Sequence, residues 1–384
     1  MQNRGILAAM KPDRLTERNI QQIVRLCHAG LVSHTLMLET IKRLRTLIPI
    51  DASFFGTVDP ATLLFTGSMA DDILLRAQPQ LLVNEYFEDD VNTFRSLARE
   101  AHPIGDLHAA TQHQLERSPR YREIFAPLAL GDELRAVLRV DGISWGALCL
   151  HRERSSVPFS HAEAALLERL TPHLAEGLRK ALLMSTGVAP TVLDEPGLLM
   201  LADDLSLMAT TPAAERWLAE IAATEWLGGR ELPTAVYAVV ARLQALERDG
   251  DIMASQMPRV RLRTRSGQWL VLHASRMSGP AVPAPIAVIL EVAQPLEIAP
   301  LIVQAYDLSK REGEITLCVV RGLSTAEIAG ELHISVHTVQ DHLKAIFDRL
   351  GVRSRRELIA GIFTQQYQPR IVAGSSLDTQ GQFR

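Results

Sequence analysis

Polar side chains able to make directional hydrogen bonds share one face of a C-terminal segment, residues 336–350, whose apolar residues have helical spacing. The face carries Thr338, Gln340, Asp341 and Lys344. A hydroxyl, an amide, a carboxylate and an ammonium group at these spacings can bind flat polar partners, such as the base edges exposed in a nucleic-acid groove. This segment is therefore the first candidate for a functional surface.

Acid–base chemistry is the competing candidate, because adjacent carboxylates occur at Asp71-Asp72, Asp89-Asp90 and Asp203-Asp204. A phosphoacceptor domain would need an acidic pair after its first strand, an aspartate at the end of the third strand and a lysine at the end of the fifth. The sequence does not show this order, so we interpret the three carboxylate pairs as solvated turns and helix ends. The sequence has no GxxxxGK[ST] phosphate loop and no nucleophile elbow. We therefore expect no enzymatic activity.

The three cysteines, Cys27, Cys149 and Cys318, lie among apolar neighbours and show no CxxC spacing. This pattern favours inert core residues over redox sensing, which stays open as an alternative, and it provides neither a zinc site nor a disulfide framework. We expect no metal and no cofactor.

Length and composition set the broad class. A chain of 384 residues is long enough for two or three domains, and 47% hydrophobic with 22% charged residues is typical of a folded protein. No apolar run reaches the length of a membrane span, and residues 1–14 lack the apolar core of a signal peptide. We expect a cytoplasmic protein without a membrane partner. The net charge of −4 means that any nucleic-acid surface must be a local basic face.

The C-terminal region reads as four short helices. The run 308–312 begins the first, and Gly322 ends it. Capping-box patterns at 324–327 and 354–357 begin the second and fourth. His333-Ile334 forms a tight turn, and Ser335 caps the third helix, which Gly351 stops. The apolar positions of this third helix are Val336, Val339, Leu343, Ile346, Phe347 and Leu350.

This succession resembles the LuxR/FixJ-type helix-turn-helix domain. The matching runs are 308–312 (LSKRE), 322–329 (GLSTAEIA), 332–339 (LHISVHTV) and 350–358 (LGVRSRREL). Gly313 and Thr316 depart from residues that the family often has in the first helix. The resemblance predicts an all-α, four-helix DNA-binding domain over 300–366, followed by a flexible tail over 367–384.

The resemblance also implies roles for single residues. The third helix would enter the major groove of double-stranded DNA, with base contacts from Gln340, Asp341 and Lys344. Phosphate contacts would come from Ser335, His337, Thr338, Arg353 and Arg355. In this family the fourth helix forms the dimer contact, which implies a homodimer on paired half-sites, and RNA polymerase is a further expected partner.

The first part of the chain resembles a GAF-type sensory domain over 1–185. Residues 16–48 have helical spacing, 52–65 form a hairpin, and 133–140 and 144–151 form a second hairpin. A capping box at 160–163 begins a long exit helix, whose leucines are Leu166, Leu167, Leu170, Leu174, Leu178 and Leu182. The irregular stretch 70–126 is where we expect ligand specificity.

After a linker near 185–196, residues 190–296 resemble a PAS domain. Strands are predicted at 198–201, 205–209, 260–264, 269–274 and 286–292, with a helix from 211 onward. Arg261, Arg263 and Arg265 alternate along one strand and are interpreted as a solvated face.

The predicted fold class is thus multidomain: α/β (α+β) GAF-like and PAS-like sensory domains followed by the all-α helix-turn-helix domain. We expect a DNA-binding transcriptional regulator controlled by a small-molecule effector or a partner at the front modules. Two alternatives remain. In the first, the front modules are a dimerisation scaffold whose exit-helix leucines form an interhelical seam. In the second, they are a haem or redox sensor, for which the candidate histidines are His102, His108 and His113. Trp145 and Trp269 are expected in the core.

Overall fold

A computed structural model of the chain describes residues 14–183, 195–222, 232–249, 258–279 and 283–359. In these ranges, two antiparallel sheets with their helices are followed by a helical C-terminal unit. The predicted tail over 367–384 and most of the predicted linker near 185–196 lie outside the described residues.

The first unit contains a sheet with helices on both faces. Its elements are α1 (Arg14–Cys27), α2 (Ser33–Leu44), β1 (Ala52–Val58), β2 (Phe65–Ala70), α3 (Asp72–Arg76), α4 (Gln78–Phe87), α5 (Phe94–Leu97), β3 (Ile104–Asp106), α6 (Leu107–Ala110), β4 (Leu130–Val140), β5 (Ile143–Glu153) and α7 (His161–Leu183). The strand order is β2-β1-β5-β4-β3. The stretch between β2 and β4, which the sequence analysis left as irregular, consists mostly of short helices and also contributes β3 to the sheet edge.

The long β4–β5 hairpin forms where the sequence predicts it, because Asp141 (φ 52°) and Gly142 (φ 77°) both take the left-handed conformation. Two consecutive left-handed residues make the tight turn whose twist suits an antiparallel pair. The pairing has two register shifts: Leu138 faces Gly146 whereas Arg139 faces Ser144, and Leu130 faces Glu153 whereas Asp132 faces Arg152.

The exit helix α7 packs inside its own chain. Leu170, Leu174 and Leu178 are 0–3% exposed and lie in the core that α7 forms with α1, α2 and the sheet. The prediction of an interhelical leucine seam between two chains is therefore wrong, because the sheet already covers these side chains. The capping box before α7 is confirmed: Glu163 accepts from the Ser160 backbone N–H at 2.8 Å.

The second unit has its own sheet, in the order β7-β6-β10-β9-β8. Its elements are β6 (Gly197–Leu201), β7 (Leu207–Thr210), α8 (Pro212–Ala222), α9 (Thr234–Asp249), β8 (Arg259–Arg263), β9 (Trp269–Arg276) and β10 (Ile286–Val292). The strands fall close to the predicted positions, and one face of the sheet packs on α8 and α9.

The sequence analysis did not identify α9. The run Ala235–Ala241 is buried almost throughout, so the helix has no polar stripe from which amphipathic spacing could be read. The helix packs against the sheet of its own unit and against α4 and β2 of the first unit. It therefore joins the two units through a shared apolar core.

Arg261 and Arg263 of β8, with Arg265 just after it, were predicted to form a solvated face. This prediction is wrong for Arg261 and Arg263. Arg261 is 8% exposed and donates from Nη2 to Asp59 Oδ1 (2.6 Å) and from Nε to Asp59 Oδ2 (2.9 Å). Arg263 donates from Nη1 to the Leu182 carbonyl at 2.8 Å. Only Arg265 among the three keeps a side chain about half exposed. This face of β8 packs on the first unit, so the charged side chains of Arg261 and Arg263 help to hold the two sheet units together.

A helix, α10 (Pro295–Ala305), connects the second sheet to the C-terminal unit. Ile298, Leu301 and Ile302 are buried with Trp269 and Val271 of β9 on the sheet face opposite α9. The same helix packs against α11 (Lys310–Val320), the first helix of the C-terminal unit. The unit continues with α12 (Thr325–Glu331), α13 (Val336–Leu350) and a helical turn over 355–359.

Within the described residues, no helix is long and apolar enough to cross a bilayer. Trp145 and Trp269 are 3% and 2% exposed, in agreement with their predicted core positions.

Candidate nucleic-acid interface

The candidate recognition helix α13 has well-defined ends. The Ser335 side chain accepts a hydrogen bond from the Thr338 backbone N–H (3.0 Å), which caps the first turn. Gly351 takes the left-handed conformation (φ 67°) and ends the helix, as predicted. Val339, Leu343 and Ile346 are buried, so the opposite side of the helix faces solvent.

The preceding helices follow the predicted pattern. The capping box at Ser324 and Glu327 is present, and the hydrogen bonds from Ser324 lower the pKa of the Glu327 carboxyl. Gly322 (φ 85°) ends α11, and His333 (φ 53°) makes the turn between α12 and α13. These caps and turns involve residues close together in the sequence, so they fix the position at which α13 starts relative to α12.

Gln340 and Lys344, two of the three predicted base-contacting residues, are exposed and have no hydrogen-bond or ion-pair partner in the described part of the chain. The third, Asp341, is 70% exposed, and its Oδ2 lies 3.5 Å from Nδ1 of His337. The structure therefore brings all three onto the solvent face of α13, together with one predicted phosphate contact.

The other predicted phosphate contacts divide into two groups. The hydroxyls of Ser335 and Thr338 lie 2.8 Å apart at the start of α13, and the Arg353 side chain is exposed in the turn after it. Arg355 is only partly exposed and donates from Nη1 to the Leu323 carbonyl (2.7 Å). This bond ties the last helical turn to the segment between α11 and α12.

Val336 is the first of the apolar positions of α13, and it is 45% exposed. It occupies the first position after the cap, where the side chain lies beyond the edge of the core. Its position next to Ser335 is the signal that could have placed it on the outer surface. An exposed methyl-bearing side chain here adds an apolar group to a polar face.

Several basic residues of the C-terminal unit are paired with acidic ones. On α11 and the turn after it, Arg311 pairs with Glu314 (2.7 Å) and Arg321 with Glu331 (2.6 Å). Arg349 reaches back to Glu312 (3.1 Å). Lys344, Arg353 and Arg356 are exposed, as are Lys310 on α11 and the acidic residues Asp341 and Asp348 on α13, so a local basic face stays a prediction.

The first unit holds a buried ionic cluster that the sequence did not predict. Arg120 donates to Glu133 from Nη2 (2.8 Å), and Arg135 donates to Glu85 (2.9 Å). Burial raises the pKa of Glu85 despite its arginine neighbours. Burial also opposes ionisation of Glu133, but Arg120 and Arg135 hold its pKa down at about 2.

Glu133, Cys149 and His151 offer metal-ligand atoms that all lie within 4.8 Å of one another. A cation is disfavoured there, because Arg120 and Arg135 already neutralise Glu133 and place two guanidinium groups beside the site. Burial raises the pKa of Cys149 to about 12, which opposes the thiolate that binds metals.

The residues considered for redox or haem sensing are placed as follows. All three cysteines are free and buried, and burial raises the pKa of Cys27 to about 12. His102 is exposed and bonds to Glu168 (2.6 Å), whereas His108 and His113 lie with ring centroids 5.6 Å apart. High thiol pKa values and burial argue against a redox-active cysteine.

Comparison with known proteins identifies the C-terminal unit. Residues 306–361 match the family model described as "Bacterial regulatory proteins, luxR family", so this segment is a LuxR-family helix-turn-helix domain. The oxygen regulatory protein NreC of Staphylococcus aureus strain JH9 is 44% identical over 52 residues, which are 14% of this chain and 24% of NreC. NreC of strain USA300 matches equally. The chain therefore spans about a quarter of the length of these relatives.

A solved structure of the phage VqmA-DPO complex covers 47% of this chain and 90% of its own, with 14% identity and a TM-score of 0.17. A TM-score this low does not establish a shared fold. The GAF-like and PAS-like interpretations of the front units rest on the sequence patterns alone.

Proposed function

We propose that this protein is a sequence-specific DNA-binding transcriptional regulator that inserts α13 into the major groove. The observation that carries the proposal is the solvent face of α13, where Gln340 and Lys344 are exposed and unpartnered within the described residues. A stable helix with one buried side and hydrogen-bonding groups on the other is the shape that the major groove admits. The match of residues 306–361 to a family of regulators supports the same role.

Each exposed side chain has a chemical preference in this arrangement. Gln340 pairs with adenine, Lys344 donates to guanine, and Asp341 accepts from the amino group of cytosine. The methyl groups of Val336 contact the methyl group of thymine. These contacts determine which operator is read, whereas Ser335, Thr338, His337 and Arg353 hold the phosphates and set the register. Arg355 acts mainly by holding the last helical turn in place, because its guanidinium is engaged by Leu323.

The regulator acts as a homodimer on paired half-sites, and RNA polymerase is its expected partner at a promoter. The front units sense a small molecule and perform no catalysis in this proposal. Their influence reaches the DNA-binding unit through α10, which packs against α7 and α11 and accepts a hydrogen bond from Arg261 of β8 at the Glu297 carbonyl. An ion pair between Arg179 of α7 and Asp307 (3.1 Å) adds a direct link from the first unit. A shift at the front units would therefore move the two recognition helices of a dimer relative to each other.

Selection of bound fragments from random duplex DNA by the full-length protein tests the DNA-binding role. We expect enriched sequences with two-fold symmetry and a strong dependence of affinity on salt. Lys344→Ala should weaken binding to the selected site about tenfold and relax the preference for one base pair.

The matched control is Lys42→Ala on α2, which removes an exposed lysine outside the C-terminal unit and should leave affinity unchanged. If no sequence is enriched, or if the two variants behave alike, the proposed role of α13 is wrong. If the enriched site is symmetric but is bound by a single chain, only the proposal of a homodimer is refuted.

A further inference from the structure

The turn between α10 and α11 brings together residues from distant parts of the chain. Oδ1 of the Asp307 carboxylate lies 3.1 Å from Nη1 of Arg179, near the end of α7 in the first unit. The Asp307 backbone carbonyl accepts a hydrogen bond from Nη1 of Arg349, near the end of α13 (2.8 Å). One residue therefore contacts both the first unit and the candidate recognition helix. We refer to Arg179, Asp307 and Arg349 as the Asp307 bridge.

The backbone of Asp307 has a conformation that glycine usually takes, with φ at 55°. The Asp307 N–H donates to the Gln304 carbonyl (3.2 Å), and the next N–H, of Leu308, donates to the Val303 carbonyl (3.2 Å). This is the Schellman arrangement at a helix end, where glycine is favoured because it has no β-carbon. The same arrangement after α11 has Gly322. The strain at Asp307 calls for a reason, and the contact of its carboxylate with the first unit supplies one.

The Asp307 bridge continues into acidic groups at both ends. Arg179 also pairs with Glu176, one turn earlier on α7 (2.6 Å). Arg349 pairs with Glu312 in the first turn of α11 (3.1 Å). Glu312 in turn accepts from the Ser309 backbone N–H (2.8 Å) in the capping box that begins α11. A continuous set of polar contacts therefore runs from α7 to the end of α13 and the start of α11.

The helices α10 and α11 approach each other so closely that residue 313 has no room for a side chain. A β-carbon at Gly313 would lie 2.7 Å from Cγ1 of Val303, and a valine side chain is stiff. This contact accounts for one departure from the LuxR/FixJ-type pattern, in which the position often has a charged residue. We therefore treat α10 as part of the C-terminal body, whose orientation depends on how α10 and Asp307 meet α7.

The polar contacts of Asp307 specify an angle that apolar packing leaves less defined. Hydrophobic contacts are non-directional, whereas hydrogen bonds weaken steeply when they are misaligned. The Asp307 side chain is 63% exposed and that of Arg179 is 11% exposed, so this pair can break without unfolding a core. An exposed ion pair shifts an equilibrium by up to about fivefold, and a homodimer would have two such pairs.

We propose that Asp307 is a positioning residue, which sets the orientation of the DNA-binding unit relative to the first unit and thereby selects operators by the distance between their half-sites. This inference rests on the proposed function, because it requires two recognition helices that read DNA together. Half-sites read from one side of B-DNA lie about one helical turn apart, or a multiple of it. A unit held at one angle reaches one spacing, whereas a released unit reaches several.

The affinity of the full-length protein for operators of altered spacing tests this inference. The operators are the site selected from random duplex DNA and two versions lengthened at the centre, by two and by five base pairs. We expect each insertion to weaken binding of the unmodified protein at least about tenfold, because the second half-site rotates away from its recognition helix. In Asp307→Gly this penalty should fall about fivefold or more, while affinity for the selected operator changes less than about threefold.

Asp307→Gly also separates a positioning role from a structural one. Glycine keeps the backbone carbonyl that Arg349 uses and relieves the left-handed conformation, so the melting temperature should not fall. Loss of a residue with a purely structural role would instead lower the melting temperature and weaken binding equally at every spacing.

Variants of Arg179 test the other side of the contact. Arg179→Met keeps an aliphatic stem without the charge and should reduce the spacing penalty as Asp307→Gly does, whereas Arg179→Lys should retain most of it. Combining Arg179→Met with Asp307→Gly should have no further effect, because the two residues act through one contact. The matched control is Glu331→Gln, which breaks the ion pair with Arg321 inside the C-terminal unit and should leave the spacing penalty unchanged.

A distance measurement without DNA distinguishes failure of this inference from failure of the proposed function. Spin labels at Lys42→Cys on α2 and Asp348→Cys on α13 report the orientation, since both positions are exposed and the three native cysteines are buried. Double electron–electron resonance is recorded on labelled chains diluted with unlabelled ones, so that distances within one chain dominate. We expect one narrow distance distribution with the native Asp307 and a broader one with Asp307→Gly.

Equal spacing penalties in the unmodified protein and Asp307→Gly would overturn the inference, and so would equal distance distributions. Absence of specific DNA binding at every spacing refutes the regulator, and the distance distributions then decide whether Asp307 holds the orientation. A reduced spacing penalty together with a broadened distribution supports both proposals.

Discussion

The C-terminal unit and the junction between the two sheet units differ in how far apart in the sequence their stabilising contacts lie. In the C-terminal unit, caps join residues three positions apart, such as Ser324 with Glu327 and Ser335 with Thr338. At the junction, Asp59 meets Arg261 across 202 positions, and Ser68 meets Thr234 across 166. The first region has polar groups free for a partner, whereas the second uses its polar groups to hold the protein together. Mutations should therefore affect binding in one region and stability in the other.

Removing a charge at the junction gives the sharpest test of this contrast. Asp59→Asn leaves Arg261 buried without a countercharge, and we expect a loss of about 3–5 kcal/mol in the free energy of unfolding. Urea unfolding followed by tryptophan fluorescence measures it. Replacing both partners, as Asp59→Leu with Arg261→Met, should recover most of the loss.

The control for this pair is Glu331→Gln in the C-terminal unit, where both side chains of the Arg321–Glu331 pair are more than a third exposed. This change should cost less than about 1 kcal/mol. Equal losses from Asp59→Asn and Glu331→Gln would remove the distinction between the two regions.

Acidification should also affect the front units first. Burial lowers the pKa of His151 to about 4, with Glu133, Arg135, Arg120 and Asp71 as the charged groups around it. The unfolded chain takes up a proton near its ordinary pKa of about 6.5, whereas the native imidazole stays neutral until about pH 4. Stability is therefore present above pH 6.5 and falls as the pH drops toward 4.

Urea unfolding at pH 7 and pH 5 measures this effect, and we expect a difference of about 2 kcal/mol from His151. His151→Gln should flatten the pH dependence by that amount. His337→Gln, which changes an exposed histidine on α13, should not. An unchanged slope in His151→Gln would show that the buried imidazole is not the group that titrates.

On the exposed face of α13 the expected effect is on binding. Gln340→Ala should cost about 1.5 kcal/mol of affinity for the selected operator, because one pair of base hydrogen bonds is lost. The melting temperature should not move, since Gln340 has no partner within the described chain. A large loss of stability in Gln340→Ala would show that this face is structural.

The smallest expected effect tests the local caps. Ser335→Ala removes the hydrogen bond to the Thr338 N–H and should destabilise the C-terminal unit by about 1 kcal/mol. Ser335→Asn keeps a capping acceptor and should restore stability. Hydrogen exchange of the first-turn amides of α13 measures the change, and equal protection in Ser335→Ala and the unmodified protein would contradict it.

The same difference in sequence separation between contacting residues explains what could be predicted from the sequence. Gly322, Ser335 and Gly351 act on their immediate neighbours, so the helix ends of the C-terminal unit were predicted closely. Most strands of the two sheets were also predicted near their observed positions, but β3 was missed, and the strand after β1 was placed at 63–65 whereas β2 spans Phe65–Ala70. The apolar spacing does not say that Val336 is exposed, since a residue at a helix end can share the core stripe and still lie outside the core.

The features that were missed depend on partners far along the chain. The arginines of β8 alternate as exposed side chains would, and nothing near them in the sequence reveals Asp59. The first part of α9, Ala235–Ala241, is buried on all sides, so it shows no periodic pattern. The bulges in the β1–β2 and β4–β5 pairings were also missed, because a single extra residue in a strand leaves no mark on composition or spacing.

The double packing of α10 has a consequence for domain exchange. A helix whose residues Ile298, Leu301 and Ile302 fill the face of a sheet, and which also packs on α11, cannot serve as a neutral splice point. A chimaera that gives these front units a foreign DNA-binding domain must keep α10 with its sheet and rebuild the contact to the new first helix. Recombination within α10 would separate two surfaces that have to change together, so we expect this helix and α11 to be inherited as one block.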